Sequence, residues 1–294
     1  MSLSWFPLLQ RGVLEIQGPD ASKLLHGQCT ADAQNLSVGR WVLGGLSTPK
    51  GRLYANFILA RLGDDRFWLI MPVAQIDDTR QRLGKYAVFY KVTLNNISTQ
   101  WHGVGLSGSS VSSEAGSVQP DAHRVTISLS RTHHMEWLNA LEETSYEARL
   151  AELETLGAAQ PEMAWNYWEV QQGWVWVTPD STEAWIPQMI AWDVLGGVNY
   201  KKGCFTGQEV IARLHYKGQS KRQLFRLSGS GTAPDVGSTV TTIEQPESTV
   251  GEVVRSADLA SHWCALAILT LSDQTASLRV NGQDIVGCTA LGTD

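Results

Sequence analysis

The sequence predicts an α+β fold, with helices packed on an antiparallel or mixed sheet and a small β-barrel at the C-terminal end. Short segments that alternate between apolar and polar residues, such as Val13–Gln17, are typical of strands. The segment Gln75–Ala87 instead carries apolar residues at helical spacing. From about Lys221 onward only short alternating segments occur, and Asn281-Gly282 is a strong signal for a type I′ hairpin. These observations predict a mixed N-terminal part and an all-β C-terminal part.

The same patterns place the remaining elements along the chain. Strands are predicted before the barrel at Trp41–Leu46, Leu53–Leu62, Phe67–Met71, Val88–Leu94 and Val125–Leu129. Helices are predicted within Glu136–Leu156 and from Pro161 to Gln172. Barrel strands are predicted at Gln223–Leu227, Ser238–Ile243, Gly251–Arg255, Ala265–Leu271 and Ser277–Val286. The Ser- and Gly-rich stretch Ser107–Gln119 is expected to form a mobile loop.

Composition excludes several classes of protein. The 294 residues are 43% hydrophobic and 18% charged, which predicts a soluble globular chain of two or three compact units. The net charge of −6 argues against a protein that coats nucleic acid through its overall charge. No apolar run approaches the ~20 residues that a membrane span needs, and the first residues lack the features of a secretory signal. A cytoplasmic protein without membrane contact is therefore expected.

The four cysteines do not form a ligand set. None of them lies in a CxxC pair, so neither a structural metal site nor a cluster site within this chain is expected. Cys264 lies in an apolar run and is expected to pack as a small hydrophobic residue, and Cys288 could do the same. The role of Cys29 stays open. Only Cys204 has glycine and basic residues around it.

The segment around Cys204 has the features of an activated thiol. Thr206-Gly-Gln-Glu209 fits the capping box of a helix, with Thr206 as the N-cap. Cys204 would then precede a helix N-terminus, where the helix dipole favours a thiolate. Lys201, Lys202 and Arg213 would add positive charge. The alternative is a tight turn that contains an incidental cysteine, and the spacing does not decide between the two.

A basic window extends from Tyr200 to Arg226. It holds seven of the 23 Lys and Arg residues and only one, Glu209, of the 29 Asp and Glu residues. Such a window could attract a polyglutamate tail, a phosphate backbone or an acidic protein surface. It could equally be a solvated linker, since no stacking motif accompanies the charges.

Tryptophan is concentrated just before this window. Six of the 12 Trp residues lie within one short segment: Trp165, Trp168, Trp174, Trp176, Trp185 and Trp192. Indole rings could form flat walls for a pterin or another planar heteroaromatic ligand. For any one of them, packing in the core is the simpler interpretation.

These motifs together resemble those of the YgfZ family, which is related to the T-protein (aminomethyltransferase) of the glycine cleavage system. The signature is the run Gly196-Gly-Val-Asn-Tyr-Lys-Lys-Gly-Cys-Phe-Thr-Gly-Gln-Glu-Val-Ile-Ala-Arg213. Other blocks follow in family order: Gly18-Pro-Asp-Ala21, His26-Gly-Gln-Cys-Thr-Ala-Asp32, Pro49-Lys-Gly-Arg52, Lys85-Tyr-Ala-Val-Phe-Tyr-Lys-Val92 and Ile186-Pro-Gln188. The resemblance covers most of the chain.

The resemblance implies a T-protein-like architecture and a folate ligand. Two interleaved α+β lobes would surround a central folate pocket in residues 1–220, with the second lobe inserted at about 45–95, and residues 221–294 would form an antiparallel β-barrel. The ligand would be tetrahydrofolate or another folate. The expected partners are iron–sulfur enzymes or their assembly proteins, including enzymes that thiolate tRNA, and tRNA itself.

The resemblance also assigns residues. Cys204 is the residue on which the family depends. A family aromatic residue that contacts folate falls on Trp165, and Arg11 stands where the family has another aromatic residue. A carboxylate of the ligand could pair with Arg11. The remaining residues expected at the folate site belong to the signature: Lys202, Gly203, Gln208, Glu209 and Arg213.

One departure concerns the chemistry. T-proteins carry an Asp-Asp pair where this chain has Ala55 and Asn56, and neither of these side chains can act as a carboxylate base. The first hypothesis is therefore a folate-binding accessory factor that uses Cys204 in iron–sulfur enzyme assembly or repair. The second is a folate-dependent one-carbon transferase with another acid or base. The third is a protein that binds tRNA directly through the basic window.

Overall fold

The computed structural model describes residues 3–108, 114–218, 220–270 and 277–291. These divide into two compact units that the chain enters more than once. The first unit comprises residues 1–162, 176–184 and 196–208, and the second comprises 163–175, 185–195 and 209–294. The expected boundary near residue 220, with a lobe inserted at about 45–95, stays a prediction.

The described residues of the first unit form two sheets and three α-helices. Its strands are β1 Leu3–Pro7, β2 Arg11–Gln17, β3 Arg40–Ser47, β4 Leu53–Arg61, β5 Arg66–Pro72, β6 Thr93–Asn96, β7 Trp101–Ser107, β8 Val118–Pro120, β9 Arg124–Ser128, β10 His133–Asn139 and β11 Gly157–Ala159. Its helices are α1 Ala21–Gln28, α2 Ile76–Ala87 and α3 Glu143–Leu156. One sheet has the order β3-β4-β5-β2-β6, and the other has the order β11-β1-β7-β10-β9-β8. All pairings are antiparallel except that of β1 with β11.

The five-stranded sheet carries the main core of the first unit. Its central strands β4 and β5 are buried over nearly their whole length. Leu24 and Leu25 of α1, with Ile76 and Leu83 of α2, pack in the same apolar cluster as the sheet residues. The predicted strands and helix in this part are confirmed, although Tyr86 near the end of α2 is exposed. The helices bury only the face that their apolar spacing predicts.

The predicted strand Val88–Leu94 is mostly wrong. Val88 and Phe89 are exposed, and the chain turns there before β6 begins at Thr93. β6 pairs with β2, and it is the short edge strand of its sheet. Apolar composition suggested a strand, but these side chains have no sheet face to cover them.

The helix predicted from Glu136 is also wrong in its first part. Residues His133–Asn139 form β10, which pairs with β7 on one side and β9 on the other. The interior of this strand is buried at every position, and its polar residues His134 and Glu136 are buried as well as Met135 and Trp137. The helix α3 begins only at Glu143. The predicted strand Val125–Leu129 is confirmed as β9, and the expected loop Ser107–Gln119 includes residues 109–113, which lie outside the described residues.

The second unit combines two helices with one antiparallel sheet. The helices are α4 Glu162–Gln171, which begins as predicted after Pro161, and α5 Gln208–Lys217. The strands are β12 Gln223–Ser230, β13 Thr239–Thr242, β14 Thr249–Leu259, β15 His262–Leu269, β16 Leu278–Val280, β17 Gln283–Asp284 and β18 Gly287–Ala290. Their order is β17-β16-β13-β14-β15-β12-β18, a curled half-barrel whose core holds residues such as Leu227, Val253 and Trp263.

The hairpin predicted at Asn281-Gly282 is confirmed. Both residues have positive φ, 50° and 76°, as a type I′ turn between β16 and β17 requires. β15 ends at Leu269, and residue 271 of the predicted strand lies outside the described residues. Among the helices of the described residues, none combines the length and the apolar composition that crossing a bilayer requires.

Candidate functional site

A buried lysine fastens the signature loop to the end of α1. The Lys202 side chain is 8% exposed, and its ammonium donates to the backbone carbonyls of His26 at 2.5 Å and Cys29 at 2.6 Å. These carbonyls belong to the last turn of α1 and its C-cap, where the helix dipole favours a cation. Burial lowers the pKa of Lys202 below its usual value. The lysine thus holds residues 26–29 and 202 together.

Hydrogen bonds of two residues, Asn199 and Thr30, fix the part of the signature loop that precedes Lys202. The Asn199 side-chain oxygen accepts hydrogen bonds from the backbone N–H groups of Lys201 and Lys202, at 2.8 and 3.0 Å. Thr30, directly after α1, donates its hydroxyl to the Gly197 carbonyl at 2.5 Å, and its own carbonyl accepts from the Asn199 N–H. The loop is therefore fixed before it reaches the cysteine.

The loop is also fixed after the cysteine. The Thr206 hydroxyl donates to Gln28 Oε1 at 3.0 Å, and the Thr206 carbonyl accepts from the Ser47 hydroxyl at 2.6 Å. Gly207 has φ 84°, and a Cβ built on it would lie 2.5 Å from the Thr48 carbonyl oxygen. Glycine is required here both for its backbone conformation and for this close approach.

The predicted helix cap is off by one residue. α5 begins at Gln208, so Gly207 precedes the helix, whereas a cap at Thr206 would make Gly207 its first residue. The Thr206 hydroxyl is used instead to bond Gln28. The capping-box spacing is common in sequences. In this chain the Thr206 hydroxyl makes a tertiary hydrogen bond and does not cap α5.

Cys204 is exposed, in contrast to its fixed neighbours. Cys29 and Cys264 are buried, and burial raises the pKa of each thiol. Cys288, on β18, is also exposed. Within the described residues, no group of three or more His, Cys, Asp or Glu side chains could hold a metal ion. Among the described residues of the signature loop, Cys204 therefore carries the exposed thiol.

Sequence reasoning missed a histidine beside this loop. A Cβ built on Gly203 would lie 3.3 Å from His26 Nε2, so the imidazole faces the residue that precedes Cys204. Asp32 Oδ1 lies 3.1 Å from the other ring nitrogen, His26 Nδ1. The block that contains His26 and Asp32 was recognised in the sequence, but its 177-residue separation from Gly203 hid the contact.

The other predicted signature residues lie in or near α5. Gln208 is half-buried at its start, whereas Glu209 and Arg213 are exposed and one helical turn apart. Their assignment to a folate site stays a prediction, as does that of Lys202, whose ammonium is bonded to the end of α1.

Trp165 lies in the interior of the second unit. It is 1% exposed, its indole N–H donates to Glu169 Oε1 at 3.2 Å, and its ring centroid is 4.9 Å from that of Trp168. Arg255 of β14 forms an ion pair with Glu169 at 2.5 Å and also donates to the Trp174 carbonyl. Packing within this unit therefore accounts for the position of Trp165, and its contact with folate stays a prediction.

Arg11 lies on the wall of a cavity within the first unit. The cavity has a volume of about 730 Å³, and its walls are mostly apolar. Its walls come from the β1–β2 connection, β7, α3 and the segment after β11: they include Trp5, Leu8, Trp101, His102, Tyr146 and Gln160. The Arg11 guanidinium lies 4.9 Å from the ring centroid of Trp176. Among the described residues, the buried indole nitrogen of Trp5 has no hydrogen-bond partner.

The basic window is only partly available to a partner. Lys202 is buried, and the Arg226 guanidinium donates to the Gln171 carbonyl. The remaining members are exposed: Lys201, Arg213, Lys217, Lys221 and Arg222. Gln219, within this stretch, lies outside the described residues.

Ala55 and Asn56 are both fully buried on β4. The Asn56 side-chain oxygen accepts from the Val177 N–H at 2.7 Å and ties the segment 176–184 to the sheet. Asn56 thus has a structural role at the position where the T-protein pattern has a carboxylate.

Comparison with known proteins shows which domain model, which relatives and which fold this chain resembles. Residues 6–147 match the model of the GCVT N-terminal domain. The tRNA-modifying protein YgfZ of Colwellia psychrerythraea is 28% identical over 270 residues, which are 88% of this chain and 80% of that protein. The tRNA-modifying protein YgfZ of Vibrio vulnificus is 28% identical over 251 residues, which are 84% of this chain and 75% of that protein. The fold is that of the glycine cleavage aminomethyltransferase T of Bartonella henselae: TM-score 0.75, 16% identity, 99% of this chain and 85% of the other. The resemblance to the YgfZ family and the T-protein-like fold are confirmed.

Replacing Lys202 with methionine should lower the free energy of unfolding by about 1–3 kcal/mol, because two buried carbonyls lose their donor. Lys201→Met is the matched control, since Lys201 is the exposed neighbour and should change stability by no more than about 0.5 kcal/mol. Urea denaturation of both variants measures the difference. Equal stabilities would show that the Lys202 contacts do not hold the loop.

Proposed function

We propose that this chain, which resembles the YgfZ proteins in sequence and the T-protein in fold, is a folate-binding accessory protein for iron–sulfur enzymes and thereby for tRNA modification. The exposed Cys204, on a loop fixed at Lys202 and Thr206, is the observation that carries the proposal. A thiol held in place yet open to solvent is suited to react with a partner rather than to stabilise the core. The names of the relatives support the link to tRNA modification.

The cavity beside Arg11 fits a folate in size and chemistry. Its volume of about 730 Å³ lies within the range of ligand pockets, roughly 300–1,000 Å³. Trp5, Trp101 and Tyr146 offer aromatic surface for the pterin and aryl rings. Arg11 supplies a positive charge for a carboxylate of the glutamate tail. When bound, tetrahydrofolate supplies a carrier for one-carbon units, and these residues would bind and orient it.

We infer binding without aminomethyl transfer. Asn56 is buried and uses its oxygen to accept the Val177 N–H, so it offers neither a carboxylate nor a proton acceptor to a ligand on β4. This supports an accessory role over the aminomethyl chemistry of T-proteins.

Cells that carry Cys204→Ser in place of the native chain should lose thiolated nucleosides in their tRNA by several-fold. The reason is that the serine hydroxyl keeps the size of the side chain but is not a usable nucleophile at neutral pH. Mass spectrometry of digested tRNA gives the measurement. Cys288→Ser removes the other exposed thiol and should leave the nucleosides at their normal level. Normal thiolation in both strains would refute the role of Cys204.

Filling the cavity should weaken folate binding. Val73 lines the cavity and is 41% exposed, so Val73→Trp should reduce the free volume and raise the Kd for tetrahydrofolate about tenfold or more, a cost of about 1.4 kcal/mol. Val38, 48% exposed and not part of the cavity wall, gives the control Val38→Trp. Anaerobic calorimetric titration measures both. An unchanged Kd in Val73→Trp would place the folate elsewhere.

A second candidate function is direct binding of tRNA. It is favoured by the exposed cations of the second unit: Arg213 and Lys217 are one turn apart on α5, and Lys221 and Arg222 follow. Exposed lysine and arginine side chains that follow one another along the chain can neutralise successive phosphates.

Charge reversal tests this candidate. Lys217→Glu, Lys221→Glu and Arg222→Glu together should weaken tRNA binding and make the plot of log K against log salt shallower by about two to three units, because three phosphate contacts are lost. The control reverses three exposed lysines of the first unit, Lys50, Lys85 and Lys91. The same loss in both triple variants would reflect net charge and exclude the proposed site.

A further inference from the structure

His26 lies between a carboxylate and the loop of Cys204. Asp32 Oδ1 is 3.1 Å from its Nδ1, and the Gly203 backbone lies against its Nε2. The side chains of His26 and Asp32 are each 16% exposed, so this pair is shielded but not sealed from solvent. Gly203 permits the approach, since any side chain at this position would place its Cβ at 3.3 Å from the ring nitrogen.

The charges around His26 define its protonation and its tautomer. Desolvation, together with the positive charge of Lys202, lowers the pKa of His26, so the ring is neutral at pH 7. Burial opposes the ionisation of Asp32, but two hydrogen bonds from Asn35 lower its pKa, so it is a carboxylate. The negative charge of Asp32, 3.1 Å from Nδ1, favours the proton on that nitrogen. Nε2, which faces Gly203, then carries the lone pair.

The loop holds Cys204 over the turn of α1 that bears His26. Lys202, two residues before the cysteine, bonds the carbonyl of His26 itself. Thr206, two residues after it, bonds Gln28 in the same turn. The cysteine is thus fastened on both sides to the element that carries the imidazole.

We propose that His26 is the proton acceptor that converts Cys204 to its thiolate, with Asp32 as its positioning residue. The S–H bond of Cys204 breaks, its electron pair stays on sulfur, and the proton forms a new bond to His26 Nε2. The resulting imidazolium is stabilised by the Asp32 carboxylate at Nδ1. No other reactant is consumed. The inference rests on the proposed role of Cys204 as the functional thiol and names the group that activates it.

The titratable groups that face His26 are Asp32, from the loop after α1, and Lys202, from the signature loop. Cys29 is close to Lys202, but burial raises the pKa of its thiol, so it stays protonated and uncharged at neutral pH. The Asp32 carboxylate therefore favours the imidazolium that forms on proton transfer, and the Lys202 ammonium disfavours it.

Alkylation of the purified full chain by iodoacetamide from pH 5.5 to 9.5 tests this. Peptide mass spectrometry follows Cys204 and Cys288 in the same tube, so the second exposed thiol is an internal reference. Burial raises the pKa of the Cys288 thiol, so Cys288 serves as a reference between variants and not as the measure of an ordinary thiol. His26→Gln should lower the Cys204 rate at pH 6.5 about tenfold relative to the wild type, because the proton acceptor is lost. Asp32→Asn should lower the Cys204 rate in the same direction, and the Cys288 rate should not change.

Each outcome decides the proposal. A Cys204 rate that is the same in His26→Gln as in the wild type overturns it, because backbone dipoles and lysines would then be the cause of the thiol's reactivity. If His26→Gln unfolds, alkylation of buried Cys29 and Cys264 reveals it, and the wild-type profile with Asp32→Asn decides instead. Normal tRNA thiolation in Cys204→Ser cells, together with an activated Cys204 in the tube, would refute the proposed function and leave this inference standing.

Discussion

The hydrogen bonds of the Lys202 ammonium hold the candidate site together. A charged side chain that is 8% exposed costs free energy unless polar groups surround it, and here the carbonyls at the end of α1 do so. These carbonyls would otherwise end the helix without partners. One side chain therefore meets two requirements, its own solvation and the termination of α1. As a result, a loop near residue 200 and a helix near residue 26 form one structural element.

Rigidity around an exposed thiol follows from this arrangement. Lys202 and Thr206 are each bonded to α1, and Gly207 fits against the Thr48 carbonyl with no room for a side chain. The conformational entropy of the loop is lost on folding and not when a partner binds. Cys204 meanwhile stays open to solvent. A reactive group on a fixed loop can meet its partner without an ordering cost, which suits a thiol that acts on another protein.

The sequence predicted what depends on local pattern and failed where tertiary contacts decide. The strands β4 and β5 and the Asn281-Gly282 hairpin were predicted because alternation and turn chemistry are local. β10 was missed although His134 and Glu136 alternate with Met135 and Trp137. Both of its faces are buried, and Glu136 is paired with Arg149 of α3, a tertiary contact that has no local signal. The loop of Cys204 was found by resemblance, but its contact with His26 spans 177 residues and has no local signal. Lys202 was counted in the basic window and assigned to the folate site, and the sequence does not reveal that this lysine is buried against the end of α1.

Asn56 has a structural role on β4. Its oxygen accepts the Val177 N–H at 2.7 Å in a fully buried position, so the segment 176–184 depends on an uncharged acceptor there. A carboxylate could accept the same bond, but it would have to be desolvated at a cost of several kcal/mol in the absence of a partner cation. The amide thus accepts this bond without the cost of burying a charge. The buried position on β4 therefore favours asparagine for stability, whereas the thiol of Cys204 stays exposed on the loop that Lys202 holds.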